Sequence, residues 1–287
     1  MLNGLSVDLE AWYHAELLRR HVDPARADPQ LEAATAPILA LLAARGVRAT
    51  FFTVGEVLGR AGGLVRAIAA AGHEIACHGY SHRPLWQLDP ESLAGELVAF
   101  RAALEGLGLG PALGYRAPTF SLSARTAWAL GVLAQGGYRY DSSVFPVRAG
   151  LYGVPGAPLA PYRPALTDLC RHDPGGPLLE LPLAAWRALG TNWPVAGGFY
   201  LRALPFSLLR GALRRIRSAG RPFVLYLHPW EAWPATPRVR GLRPWERWVT
   251  YVGSRAVLGR LRALLDEFQF APLCELGEEH WDSHEQE

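Results

Sequence analysis

The sequence predicts an α/β protein built on a mostly parallel sheet or barrel wrapped by helices. Short apolar or β-branched runs alternate with longer helical patterns over most of the 287 residues, the order that successive strand–helix units produce. Half of the chain is hydrophobic, so a sizeable core can be buried at this length. Polar, ionisable residues recur just after the expected strands, which is where barrel enzymes keep their active sites.

The strands are expected at Leu5–Leu9, Val47–Val54, His73–Cys77, Leu113–Arg116, Tyr138–Tyr140, Leu178–Leu181 and Phe223–His228, with a last one at Phe270–Leu276. Helices fit between them. One spans Leu31 to Arg45 and stops at Gly46, and another takes Asp89 as N-cap with Pro90 at its first position. Ser123 is placed to cap a third, and Pro205 opens a fourth that ends at Gly220. The stretch from Pro146 to Pro177 is rich in Pro and Gly and reads as a long excursion from one domain. Neither repeats nor low-complexity segments interrupt the pattern, and only His280–Glu287 reads as a solvated tail.

Composition removes several classes of function. The formal net charge is +3 and the isoelectric point about 8.9, with no run of five like charges, so nucleic acid is not an expected partner. The densest basic cluster, Arg214, Arg215 and Arg217, falls where a helix ends and cations complement its dipole. Lysine is absent, and all 29 cationic residues are arginine. A pyridoxal Schiff base, a P-loop lysine and a Ser–Lys nucleophile pair are thereby excluded. Three cysteines, Cys77, Cys170 and Cys274, form no CxxC pair and no disulfide framework. No window approaches 18 apolar residues, and no basic segment followed by an apolar stretch opens the chain, so a cytoplasmic protein is expected.

The candidate chemistry lies at those strand ends. His78 and His82 enclose Gly79, Tyr80 and Ser81, a spacing that lets two imidazoles reach one metal, though alone it is a weak signal. Asp8 and Glu10 stand two apart, on one face of a regular strand or in the loop that follows it. Two carboxylates on one face of an apolar strand are costly unless paired or bound to a cation. Together, one carboxylate and two histidines make a three-ligand site with room for water, and the second carboxylate can then act as base.

Five short motifs appear in the order Ser6-Val7-Asp8-Leu9-Glu10-Ala11-Trp12, His78-Gly79-Tyr80-Ser81-His82, Gly114-Tyr115-Arg116-Ala117-Pro118, Tyr140-Asp141-Ser142-Ser143 and Leu227-His228-Pro229-Trp230-Glu231. In these the chain resembles the polysaccharide deacetylase superfamily, the NodB-homology hydrolases of the carbohydrate esterase family 4 type. The Arg- and Trp-rich end resembles the C-terminal extension of a subgroup associated with exopolysaccharide production.

The resemblance implies a distorted (β/α) barrel with about seven parallel strands, a single domain over residues 1–287 with about 232–287 as an extension packed on it. It implies a metal-dependent deacetylase that removes the N-acetyl group of an amino sugar in a polysaccharide or its precursor. Carried over by position, Glu10, His78 and His82 match the ligands of a divalent metal, Zn²⁺ foremost, and Asp8 matches the base. Arg116 matches the arginine that orients the base, and His228 the general acid, with Asp141 expected to hold its imidazole. Trp230, Thr119 and Tyr115 are the expected substrate-binding residues, Thr119 through its backbone N–H. Many members carry aspartate where this chain has Glu10, which is longer by one methylene. Two other readings are a carbohydrate-binding barrel without turnover, and an amide hydrolase acting on a lipid-linked sugar or another non-polymeric substrate.

Overall fold

A computed structural model describes residues 1–25, 27–28, 30–150 and 152–281. The tail expected over His280–Glu287 lies outside the described residues from residue 282 onward. In chain order the strands are β1 (Asn3–Leu9), β2 (Thr50–Thr53), β3 (Glu74–Cys77), β4 (Gly114–Tyr115), β5 (Tyr140–Asp141), β6 (Pro164–Ala165), β7 (Asp168–His172), β8 (Leu179–Glu180), β9 (Ala185–Ala188), β10 (Thr191–Pro194), β11 (Val224–Leu227) and β12 (Phe270–Ala271). The helices are α1 (Leu31–Arg45), α2 (Gly55–Arg60), α3 (Gly62–Ala70), α4 (Pro90–Gly106), α5 (Ala129–Gln135), α6 (Gly198–Ala203), α7 (Phe206–Ser218), α8 (Pro229–Ala232), α9 (Pro244–Tyr251), α10 (Val257–Glu267) and α11 (Leu273–Trp281).

Seven parallel strands run in the order β11-β1-β2-β3-β4-β5-β8, and β12 joins β1 through Asn3 and Gly4. The two ends of this path meet at one parallel bridge from Leu183 to Val224, where the Ala184 amide donates to the Val224 carbonyl at 3.0 Å. The sheet is thus curled into a distorted barrel. Strand β1 is buried along its whole length, as expected of a parallel strand covered on both faces, whose apolar run need not alternate.

Register decides which side chains face the barrel interior. Leu9, Thr53, Cys77, Tyr115, Asp141 and Glu180 form one row across neighbouring strands. Because side chains alternate along a strand, residues one step away point the other way. Asp8 and Arg116 therefore share the opposite face, and the Arg116 guanidinium lies 4.0 Å over the Phe52 ring.

Several local expectations hold. Helix α1 ends at Gly46 in the left-handed region (φ 59), Asp89 accepts the Ser92 amide at 2.7 Å with Pro90 opening α4, and α7 lies between Pro205 and Gly220. Two do not. Ser123 caps no helix: its amide donates to Thr126 Oγ1 at 2.8 Å and closes a turn, and α5 starts only at Ala129. The last strand is only Phe270–Ala271, since Pro272 has no amide for a ladder and Leu273 opens α11. The excursion after Pro146 contains the β6–β7 hairpin, and the β9–β10 hairpin follows it. No helix among the described residues is long and apolar enough to cross a membrane.

Candidate active site

The strand order brings the C-terminal ends of β11, β1, β3 and β4 to one rim, and Glu10, His78, Arg116 and His228 stand immediately beyond those ends. One ligand atom from each of Glu10, His78 and His82 can be chosen so that all lie within 4.8 Å of one another, and all three residues are buried. Glu10 Oε2 is 2.6 Å from His82 Nε2. His78 Nδ1 is 2.8 Å from the Arg116 carbonyl. A carbonyl can only accept, so Nδ1 carries the proton and Nε2 keeps its lone pair for a ligand. His82 reaches back because the loop turns through left-handed backbone at Gly79 (φ 71) and at His82 itself (φ 53), a conformation that glycine adopts without strain.

The electrostatics suit a cation. Burial opposes ionisation of Glu10, but His82 and His228 outweigh it and hold the carboxyl well below the usual carboxylate range. Burial, offset in part by Asp8, lowers His78 to about 4, so its imidazole is neutral near pH 7. His14, which the sequence reading passed over, stacks on His82 with centroids 5.0 Å apart and lowered by burial to about 3. Nothing in its spacing from the other residues distinguishes it.

Asp8 sits beside this group on the barrel's inner face. Its Oδ1 accepts from Arg116 Nη1 at 2.6 Å, and its Oδ2 is 4.0 Å from His78 Nε2 and 3.8 Å from His228 Nε2. Arg116 is fully buried, with further bonds to Ser6 Oγ, Ser142 Oγ and the Ser142 carbonyl at 2.8, 2.9 and 2.9 Å. One residue thus fixes Asp8 with its side chain and His78 with its carbonyl. His228 Nε2 lies 3.6 Å from Glu10 Oε1. Burial disfavours its charge, but Glu10, Glu231 and Asp8 reverse this and raise it to about 9.

Two expected assignments are corrected. Asp141 does not hold the His228 imidazole. It belongs to the outward row, where it accepts from the Ser143 hydroxyl and amide at 2.6 and 3.2 Å and lies beside Glu180. The partner of His228 is Glu231, whose Oε2 is 2.8 Å from Nδ1 and accepts the His228 amide at 3.0 Å. The sequence did hold this signal: a glutamate three residues after a helix cap reaches back to it. Tyr115, expected to bind substrate, stands in the same outward row, 1% exposed, its ring against Tyr138 and its hydroxyl without a hydrogen-bond partner among the described residues.

Trp230 and Thr119 both line a cavity of about 150 Å³ together with Asp8, His78, His82 and His228. The Trp230 indole stacks on His228 at 5.2 Å and donates to Glu10 Oε1 at 3.3 Å. Thr119 has left-handed backbone (φ 57) at the wall of the same cavity, a strained conformation of the kind found where a ligand is held. Phe120, Tyr152 and Tyr226 add apolar wall that the sequence did not single out.

Fold and site define a parallel barrel with a carboxylate–dihistidine centre at the strand C-termini. Residues 26–140 match the polysaccharide deacetylase family model and residues 142–277 match a domain of unknown function, DUF3473. A chitin deacetylase of Pestalotiopsis sp is 35% identical over 103 residues, 34% of each chain, and this chain spans about a third or less of the length of the curated relatives it matches. Among solved structures, a Mycobacterium smegmatis protein assigned to the polysaccharide deacetylases superposes with TM-score 0.62 and 24% identity, covering 96% of this chain and 90% of that one. PuuE allantoinase superposes with TM-score 0.58 and 17% identity, covering 93% and 85%. Residues 26–140 thus carry the polysaccharide deacetylase domain, and residues 142–277 carry the second family's domain of unknown function.

Proposed function

We propose that this chain is a metal-dependent deacetylase that hydrolyses the N-acetyl group of an amino sugar, in a polysaccharide or its precursor, and releases acetate. The observation that carries the reading is the meeting of Glu10, His78 and His82 with Asp8 on one side and His228 on the other. The donor set fits a borderline cation: two imidazoles and one carboxylate are a zinc set, and three protein ligands leave a position open. A divalent ion held there supplies Lewis acidity to water and to the acetamide carbonyl.

The chain's own residues account for the proton movements. Asp8, fixed by Arg116, takes a proton from the attacking water, which adds to the carbonyl carbon. The Thr119 amide at the cavity wall donates to the oxyanion. His228, protonated near pH 7, gives its proton to the departing sugar amine as the C–N bond breaks. Trp230, Tyr152 and Tyr226 offer apolar faces to the acetyl methyl or the sugar ring. A barrel that only bound sugar would have no use for an imidazole held by Glu231 opposite Asp8.

We read the chain as one domain over residues 1–287, with about 232–287 as an extension, because β12 pairs with β1 and Glu246 of α9 pairs with Arg20. The match to DUF3473 supports an exopolysaccharide context for the substrate. The test is acetate release from N-acetylglucosamine oligomers and partially acetylated polymers, with metal content measured alongside. A chelator should abolish release and added Zn²⁺ should restore it. Metal-loaded protein that frees no acetate from any of these substrates would refute the proposal.

A further inference from the structure

A buried arginine links the extension to the active site. Arg202 of α6, 4% exposed, donates to Glu231 Oε1 from Nη2 at 2.8 Å and from Nε at 3.2 Å. Its remaining nitrogen, Nη1, donates to the carbonyls of Thr250 and Val252 at 3.1 and 2.8 Å, where α9 ends. Glu231, 3% exposed, spends its other oxygen on His228. An unbroken hydrogen-bonded path therefore runs from the end of α9 to the imidazole at the cavity.

The site is built around this path. A Cβ on Gly198 would lie 1.7 Å from Glu231 Oε2, so only glycine leaves room for the carboxylate. Arg260 of α10 in turn donates to the carbonyls of Leu201, Arg202 and Leu204 at 2.6, 3.1 and 2.9 Å and fixes the end of α6. Burial disfavours the Glu231 carboxylate, and Arg202 followed by His228 offset that cost and hold it at about 2. A buried carboxylate stripped of its cation takes up a proton or moves toward water, and either change releases the imidazole it orients.

We propose that Arg202 is a positioning residue, through which the C-terminal extension sets the orientation of the His228 imidazole by way of Glu231. It touches no reacting atom. The extension is then part of the catalytic apparatus for leaving-group protonation, and an isolated barrel ending near residue 231 would retain the ligands and Asp8 but hold His228 loosely. This inference rests on the deacetylase reading.

Two substrates separate its effect from a general structural one. The amine of an N-acetylglucosamine oligomer needs a proton to depart, whereas the phenolate of 4-nitrophenyl acetate does not. Arg202→Met should lower kcat on the oligomer about 10²-fold or more, with KM little changed and metal content intact, while ester hydrolysis is kept. Glu231→Gln, which preserves shape, should show the same split if Arg202→Met folds poorly. Equal losses on both substrates, or no loss on the oligomer, overturn the proposal. If the wild-type chain releases no acetate from the oligomer, the deacetylase reading fails, and ¹⁵N NMR of the His228 ring still decides this one. Above the imidazole's pKa of about 9, where the ring is neutral, a fixed Nδ1-protonated tautomer in wild type that averages in Arg202→Met supports it, and an unchanged tautomer sinks it.

Discussion

Glu10 and His82 face each other at 2.6 Å, carboxylate oxygen to imidazole nitrogen, though 72 positions separate them in the chain. A cation held by both would offset the cost of burying them. Replacing either by alanine should weaken Zn²⁺ binding by at least the ~10–100-fold that loss of an outer partner of a metal ligand costs. Glu10→Asp should keep part of the affinity. Titration calorimetry with Zn²⁺ is the check, and unaltered affinity in His82→Ala would remove the centre.

Asp8→Asn tests the base. Turnover should fall by about 10²–10⁴-fold, with the metal still bound through Glu10, His78 and His82. The same change leaves Arg116 buried without its ionic partner, a loss of about 3–5 kcal/mol when a buried pair is broken outright. Arg116 keeps its bonds to Ser6 and Ser142 and its place over Phe52, so the lower end of that range is expected in urea unfolding. Near wild-type kcat would assign the proton to another group.

Trp230 joins the two halves of the site, stacking on His228 and donating to Glu10. Trp230→Phe retains the stack and removes the donor, so Zn²⁺ affinity should drop by about 10-fold with KM nearly unchanged. Trp230→Ala should also raise KM or lower kcat on sugar substrates. Identical kinetics and metal affinity in both variants would reduce the indole to packing.

Asp141 and Glu180 are side by side in the outward row, both fully buried. Burial and then the Asp141 charge push Glu180 well above the usual carboxylate range, and burial also raises Asp141. Glu180 therefore keeps its proton in the folded state. A carboxyl raised on folding contributes stability below its unfolded pKa of about 4.3 and loses it as pH climbs through the raised folded value. Wild-type Tm should decline as pH rises above the unfolded value of about 4.3, and Glu180→Gln, neutral throughout, should flatten that decline. Parallel Tm–pH curves would show that the pair holds no proton.

What the sequence determined was order and spacing. The alternation of apolar runs with helical periods indicated a mostly parallel sheet or barrel, and the two-residue step from Asp8 to Glu10 and the HxxxH loop each placed two polar groups at one strand end. Those are short-range consequences of strand and turn geometry. Only the tertiary structure decided which face each rim residue took and whom it met. Arg116 and Tyr115 are neighbours in the chain, yet one enters the barrel and the other leaves it, because pairing with Cys77 and Asp141 sets the parity of that strand. For the same reason Asp141 turned from His228 to Glu180, and Glu231 took its place once Arg202 and the end of α9 had closed around it. Register and helix docking are properties of distant segments packed together, and no local spacing in the chain encodes them.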